Sequence, residues 1–184
     1  VLNEAGRTQA ARGALEKALH LNPQSGIAHC NLAAVLMDQE PDEAEQHARR
    51  AVELLPHSFE AWVTLGKILQ PQSKVGEARA AFGRASGLTA MPGLRILHAL
   101  MLPTIMGTLA EVEATRVQFE QALDALIAAQ IKLADPIKAL CNTNFLLAYH
   151  GHNDRAIQQR IASFYLQACP TLGYVAAHCS APRT

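Results

Sequence analysis

The sequence predicts an all-α protein: a short solenoid of paired helices over residues 1–90, a helical extension over 91–170, and in 171–184 the start of a further domain. Three observations carry this expectation. Residues of like kind recur at a period of 33 or 34, as in Pro23 and Pro56, Ala18 and Ala51, Ala51 and Ala85, and Ala44 and Ala78. Apolar positions elsewhere recur three and four apart, the spacing of one helix face, and no run shows the strict alternation of a strand. Alanine and leucine are abundant while aromatic residues make up only 5 % of the chain, which suits helices that approach closely through small side chains.

The elements follow in order. Ala11, Leu15 and Ala18 share a face and define the second helix of a pair. Counted back from Ala11, Val1 falls near the tenth position of a repeat, inside a first helix. The expectation is therefore a chain lacking its N-terminal repeats and their polar cap. His29-x2-Leu32-Ala33-x2-Leu36 opens the next pair, and Ala44, Ala48 and Ala51 close it. Trp62-x2-Leu65-Gly66-x2-Leu69 and Ala78-x3-Phe82-x2-Ala85 form the third. This succession of large residue, Leu-Gly, aliphatic, Ala and Phe resembles the tetratricopeptide (TPR) pattern, with Ala90 where that repeat ends in Pro. The resemblance implies a TPR solenoid of about two and a half repeats, with a shared groove that binds peptides. Trp62 is expected in the core between its paired helices, its truncation to Ala costing about 3–5 kcal/mol.

Beyond Ala90 the repeat stops and helices continue. Met91-Pro92-Gly93 breaks the chain, and a short apolar helix is expected to end near Pro103. Thr108 and Glu111 form a capping box for a long helix whose stripe is Leu109, Val112, Phe119, Leu123, Leu126 and Ile127. Asp135-Pro136 reads as an N-cap with proline at the first helical position, opening a buried helix over 137–149 that Gly151 ends. A last helix carries Ile157, Ile161, Phe164, Tyr165 and Ala168 on one face and stops at Pro170. Asn153-Asp154-Arg155 reads as its cap and first turn.

Composition narrows the function. With 16 basic and 16 acidic residues the chain carries no electrostatic footprint for nucleic acid or an anionic membrane. The apolar stretch 96–110 is too short to span a bilayer and is interrupted by His98, Pro103 and Gly107. Cys30, Cys141, Cys169 and Cys179 form no CxxC pair, so reduced thiols and a cytoplasmic setting are expected. Cys141, with no basic partner, reads as an inert small hydrophobe. His150-Gly151-His152 lacks carboxylate or Cys companions at ligand spacing, so it reads as a helix end and turn, and no metal site is expected.

Four blocks occur in order: 97–103 (Leu-His-Ala-Leu-Met-Leu-Pro), 111–116, 145–155 (Phe-Leu-Leu-Ala-Tyr-His-Gly-His-Asn-Asp-Arg) and 169–178. Together they resemble the region that joins TPRs to the catalytic domain in bacterial SPINDLY-like O-linked N-acetylglucosamine transferases, with 145–155 the most specific block. His29-Cys-Asn-Leu-Ala33 is similar to the first-helix signature of those TPRs, whose asparagines form a ladder along the groove; the next repeat departs from it by carrying Thr64 at the ladder position. The resemblance implies an acceptor-binding and linker portion of a protein O-glycosyltransferase. Its UDP-N-acetylglucosamine donor and catalytic residues would belong to a two-lobed catalytic domain absent from these residues, so no catalytic residue and no cofactor is assigned here.

The groove candidates are Asn31 with Ala28 and Val35 on one first helix, and Glu60, Val63, Thr64 and Lys67 on the next. An amide such as that of Asn31 offers both a donor and an acceptor to an extended backbone without reading sequence; the plainer reading is a solvated polar residue. Arg155 and Tyr174 are candidates for docking the catalytic domain. The expected partners are thus a polypeptide acceptor and that domain. The alternative is a stand-alone TPR scaffold for protein–protein interaction, and a third reading, an enzyme complete within the chain, is the least favoured. The apolar run 172–177 favours continuation into a further domain. The acceptor residue, Ser/Thr or Asn, stays open.

Overall fold

The structure is a computed structural model that describes residues 2–103, 106–134 and 145–174. Among the described residues every regular element is helical. The chain divides into two compact units, one holding the helices up to Leu88 and the other the elements from Pro92 onward.

The first unit contains α1 (Leu2–Leu21), α2 (Gly26–Leu36), α3 (Pro41–Leu54), α4 (Phe59–Leu69) and α5 (Val75–Leu88). The links 22–25, 37–40, 55–58 and 70–74 are short, and each helix packs on the next. α2 packs on α3 and α4 on α5, while α2 also meets α4. Ser25 and Ser58 start the two shorter helices in the same way, each hydroxyl accepting the N–H of the residue three ahead (Ala28 and Ala61, both 3.3 Å). Pro41, at the start of α3, occupies the position where a missing N–H costs nothing.

Small residues set the spacing of the layers. Ala44, Ala48, Ala51, Ala78 and Ala85 are all fully buried, and two glycines mark the closest approaches. A Cβ at Gly26 would stand 2.6 Å from Leu55 Cγ, and one at Gly66 would stand 2.8 Å from Phe82 Cζ. Glu45, buried on α3, is held by Arg49 Nε (2.9 Å) and Lys74 Nζ (2.6 Å). Burial alone would raise its carboxyl pKa, but the bonds from Lys74 and Arg49 outweigh that and lower it.

Two expectations for this unit are corrected. One unbroken helix runs from Leu2 to Leu21, where the register called for the end of a first helix and a turn. No proline lies in that stretch, and its two glycines, Gly6 and Gly13, each weaken a helix by only about 1 kcal/mol. Trp62 is not a core residue: it is partly exposed and lines two surface clefts, while the fully enclosed ring is Phe82.

The second unit contains α6 (Pro92–Ala99), α7 (Leu109–Ala128), a 3-10 turn η1 (Phe145–His150), α8 (Arg155–Ala168) and a second 3-10 turn η2 (Pro170–Gly173). Its core joins Ile96 and Leu100 to Phe119 and Leu123 of α7, Leu147 of η1, and Ile157, Ile161 and Phe164 of α8. The capping box of α7 is formed as expected: Thr108 Oγ1 accepts from Glu111 N, and Glu111 Oε2 accepts from Thr108 N, both at 3.2 Å. Gly151 ends η1 with φ of 72°.

Here too the boundaries shift. α6 ends at Ala99, short of Pro103, and 100–102 run on as a buried non-helical segment. The α7 stripe holds at Phe119, Leu123 and Leu126, but Leu109 in the first turn is 70 % exposed, and Arg116 is buried on the same face instead. Residues 145–150 form a tight 3-10 turn rather than the last turns of an α-helix. The expected cap at Asp135-Pro136, the helix start and Cys141 lie outside the described residues, as do Cys179 and the run from 175. No described helix is long and apolar enough to cross a membrane.

Candidate functional site

Helical register at about 100° per residue puts Glu60, Val63, Thr64 and Lys67 on one side of α4 and Trp62, Leu65, Gly66 and Leu69 on the other. The second set is turned toward α5: Leu65 and Leu69 are buried, and Gly66 lies under Phe82. The first set faces away from that core. Glu60 and Lys67 are exposed, and Val63 and Thr64 are partly buried. On α2, Asn31 is exposed and Val35 partly buried.

The two candidate faces are linked, since the thiol of Cys30 donates to Thr64 Oγ1 at 3.5 Å. Thr64 is therefore engaged within the fold, and Glu60 accepts from Ser58 Oγ at 2.9 Å. Asn31 and Lys67 make no side-chain hydrogen bond or ion pair among the described residues and are free to meet a ligand. Ala28 differs from the others: it is buried, and its N–H is given to Ser25, so its side chain serves packing.

In the second unit Arg155 is exposed at the first position of α8, with its N–H donating to Asn153 Oδ1 (3.1 Å). Tyr174, just past η2, is 80 % exposed. Asp154, expected as a capping side chain, makes no cap bond; its carboxylate instead meets buried Arg116, Nη1 to Oδ1 at 2.7 Å. These two atoms touch without an aligned hydrogen bond, so the attraction is that of two charges in contact. Beside them, His150 is buried, and neither ring nitrogen has a hydrogen-bond partner among the described residues. Burial, then the Arg116 charge, lowers its pKa, against an opposing pull from Asp154.

Two further arrangements escaped sequence reasoning. His29 and His47 meet through their Nδ1 atoms at 2.8 Å, and His29 Nε2 lies 3.1 Å from the Pro23 carbonyl. The carbonyl can only accept, so His29 carries its proton on Nε2 and its Nδ1 accepts from His47 Nδ1–H. His47 Nε2 is then bare, 3.8 Å from Glu43. The second arrangement is a cleft of about 480 Å³ lined by Pro56, His57, Trp62, Gly83, Arg84, Gly87 and Leu88. Trp62 Nε1 donates to the Pro56 carbonyl at 3.0 Å, so the indole offers its face rather than its N–H, and the Arg84 guanidinium stands 6.0 Å from the ring centroid.

Compared with protein-family models and with curated proteins, the chain matches none of either.

Proposed function

We propose that the first unit is a TPR solenoid of about two and a half repeats: α1 is the second helix of one, α2 with α3 and α4 with α5 the next two. The chain binds an acceptor polypeptide on the α2–α4 side and presents it to the catalytic domain of a SPINDLY-like protein O-glycosyltransferase. The observation that carries the repeat reading is the return of the same helix-entry bonds 33 residues apart. Ser25 caps Ala28 as Ser58 caps Ala61, and His29 bonds the Pro23 carbonyl as Trp62 bonds that of Pro56. Two helices that enter their pairs by the same bonds present the same face, and on that face stand Asn31, Val35, Glu60, Val63 and Lys67.

The chemistry follows from the free amide and the free cation. Asn31 can donate to a peptide carbonyl and accept from a peptide N–H, and Lys67 can donate to a further carbonyl or pair with a carboxylate. Each such bond contributes about 0.5–1.5 kcal/mol net, so affinity comes from several repeats in series. The assignment to a transferase rests on the resemblance of 145–155 and of the Asn31 signature. Arg155 and Tyr174 are exposed where a following domain would dock, and UDP-N-acetylglucosamine belongs to that domain. The setting is cytoplasmic.

The test is transfer of radiolabel from UDP-N-acetylglucosamine to protein in extracts expressing the source gene, unchanged or with Asn31→Ala and Lys67→Ala. The expected result is labelled protein that falls several-fold in the double variant. Absence of label with either gene sinks the transferase reading and leaves the TPR scaffold; equal labelling with both sinks the assigned groove.

A further inference from the structure

The repeat supplies its own comparison for the Trp62 cleft. Arg50 is the counterpart of Arg84 one repeat earlier, and there the guanidinium is held internally: Nη1 to Glu53 Oε2 at 2.8 Å and Nη2 to Gln24 Oε1 at 2.7 Å. Carried forward one repeat, Glu53 becomes Gly87 and Gln24 becomes His57, so the carboxylate is gone and an imidazole stands where the amide was. Arg49, the long side chain beside Arg50 that reaches forward to Glu77, becomes Gly83. The cation has been kept while its carboxylate and the neighbouring long side chain have been removed, and the cleft is the space they leave.

Arg84 makes no ion pair among the described residues. Glu77, which lines the adjoining cleft with Arg84, is taken by Arg49 at 2.5 Å. A Cβ at Gly87 would meet nothing within 4 Å, so the floor is open to a ligand atom. The walls are apolar, formed by the indole face, Pro56 and Leu88, the last 40 % exposed. This site lies across α4 from Asn31, Glu60 and Lys67, so it is separate from the surface in the proposed function.

We propose that the Trp62–Arg84 cleft binds an acidic segment of a polypeptide. Its carboxylate takes the place on Arg84 that Glu53 takes on Arg50, and an adjacent apolar side chain lies on the indole and Leu88. Charge complementarity selects the carboxylate, and a cleft of this volume with apolar walls selects a body larger than a free small acid.

Trp62 is the sole tryptophan, so its fluorescence reads the site directly. The intact chain is titrated with acetyl-Leu-Glu-Leu-Glu-amide, with its Gln counterpart and with acetate. The expected result is a saturable emission change with the Glu peptide, at least tenfold weaker with the Gln peptide and absent at equal acetate. Arg84→Gln weakens the Glu peptide at least tenfold. Gly87→Glu, which restores the internal carboxylate, abolishes the response while circular dichroism stays unchanged. Equal response to Glu and Gln peptides overturns the role of Arg84, and acetate acting as well as peptide overturns the polypeptide ligand. Full binding by a folded Gly87→Glu chain overturns the site. Should Gly87→Glu fail to fold, Arg84→Gln alone decides the matter, since it removes a surface cation and no buried contact.

Discussion

Phe82 closes over Gly66 so tightly that three of its ring carbons would stand 2.8 to 2.9 Å from a Cβ placed there. The ring is fully buried and has no room to retreat. Gly66→Ala is therefore expected to lower stability: overpacking costs about 1–3 kcal/mol, against a helix-propensity gain of about 1 kcal/mol. Gly13→Ala, on α1 with nothing within 4 Å of the new Cβ, should raise stability by up to about 1 kcal/mol. Urea midpoints of the two variants should move in opposite directions, and a parallel shift would refute the packing argument.

Phe82 takes the core place that the repeat pattern suggests for Trp62. Truncating Phe82 to Ala leaves a sealed void and is expected to cost about 3–5 kcal/mol. Trp62→Ala only widens a cleft already open to water, and about 2 kcal/mol is expected, since no enclosed cavity is created. Thermal melts followed by circular dichroism rank the two; a larger loss for Trp62 would place the core on the other side of α4.

That difference shows where the sequence was legible. The helices α2 to α5 of the first unit, the α7 capping box and the buried α8 face followed from period, cap chemistry and 3.6-residue spacing, which are local signals. The pairings Arg116–Asp154, His29–His47 and Cys30–Thr64 join residues 18 to 38 positions apart and depend on how helices face one another, which no local pattern encodes. The open cleft was legible in principle: aligning Glu53 with Gly87 would have exposed an arginine that lost its carboxylate.

The His29–His47 pair predicts acid sensitivity. Burial, and then the charges of His29 and Arg12, lowers the His47 pKa below its ordinary 6.5, with Glu16 opposing. The unfolded chain therefore takes up this proton first. The stability that the neutral His47 contributes is complete above pH of about 6.5 and is lost as pH falls from there through the folded-state value. Urea midpoints at pH 7.5 and 5.5 should differ, lower in acid, and His47→Asn should shrink the difference. Burial of His150 acts in the same direction from the second unit, so an undiminished difference in His47→Asn would refute the assignment to the His29–His47 pair.

Arg116 and Asp154 make the sharpest test in the second unit. Both side chains are nearly enclosed, at 10 % and 15 % exposure, so removing one strands the other's charge. Asp154→Ala is expected to cost about 3–5 kcal/mol by leaving the Arg116 guanidinium buried and unpaired. Arg116→Met should cost less, because the stranded Asp154 carboxylate lies at the N-terminus of α8, where the helix dipole favours negative charge. The double variant should lose less than the sum of the singles, with a coupling of about 1–3 kcal/mol. His150 gives an independent readout, since Arg116 lowers its pKa and Asp154 raises it. In an NMR titration, removing Arg116 should therefore move the imidazole pKa up and removing Asp154 should move it down. Shifts of the same sign in both variants would mean that His150 responds to loosened packing rather than to the two charges beside it.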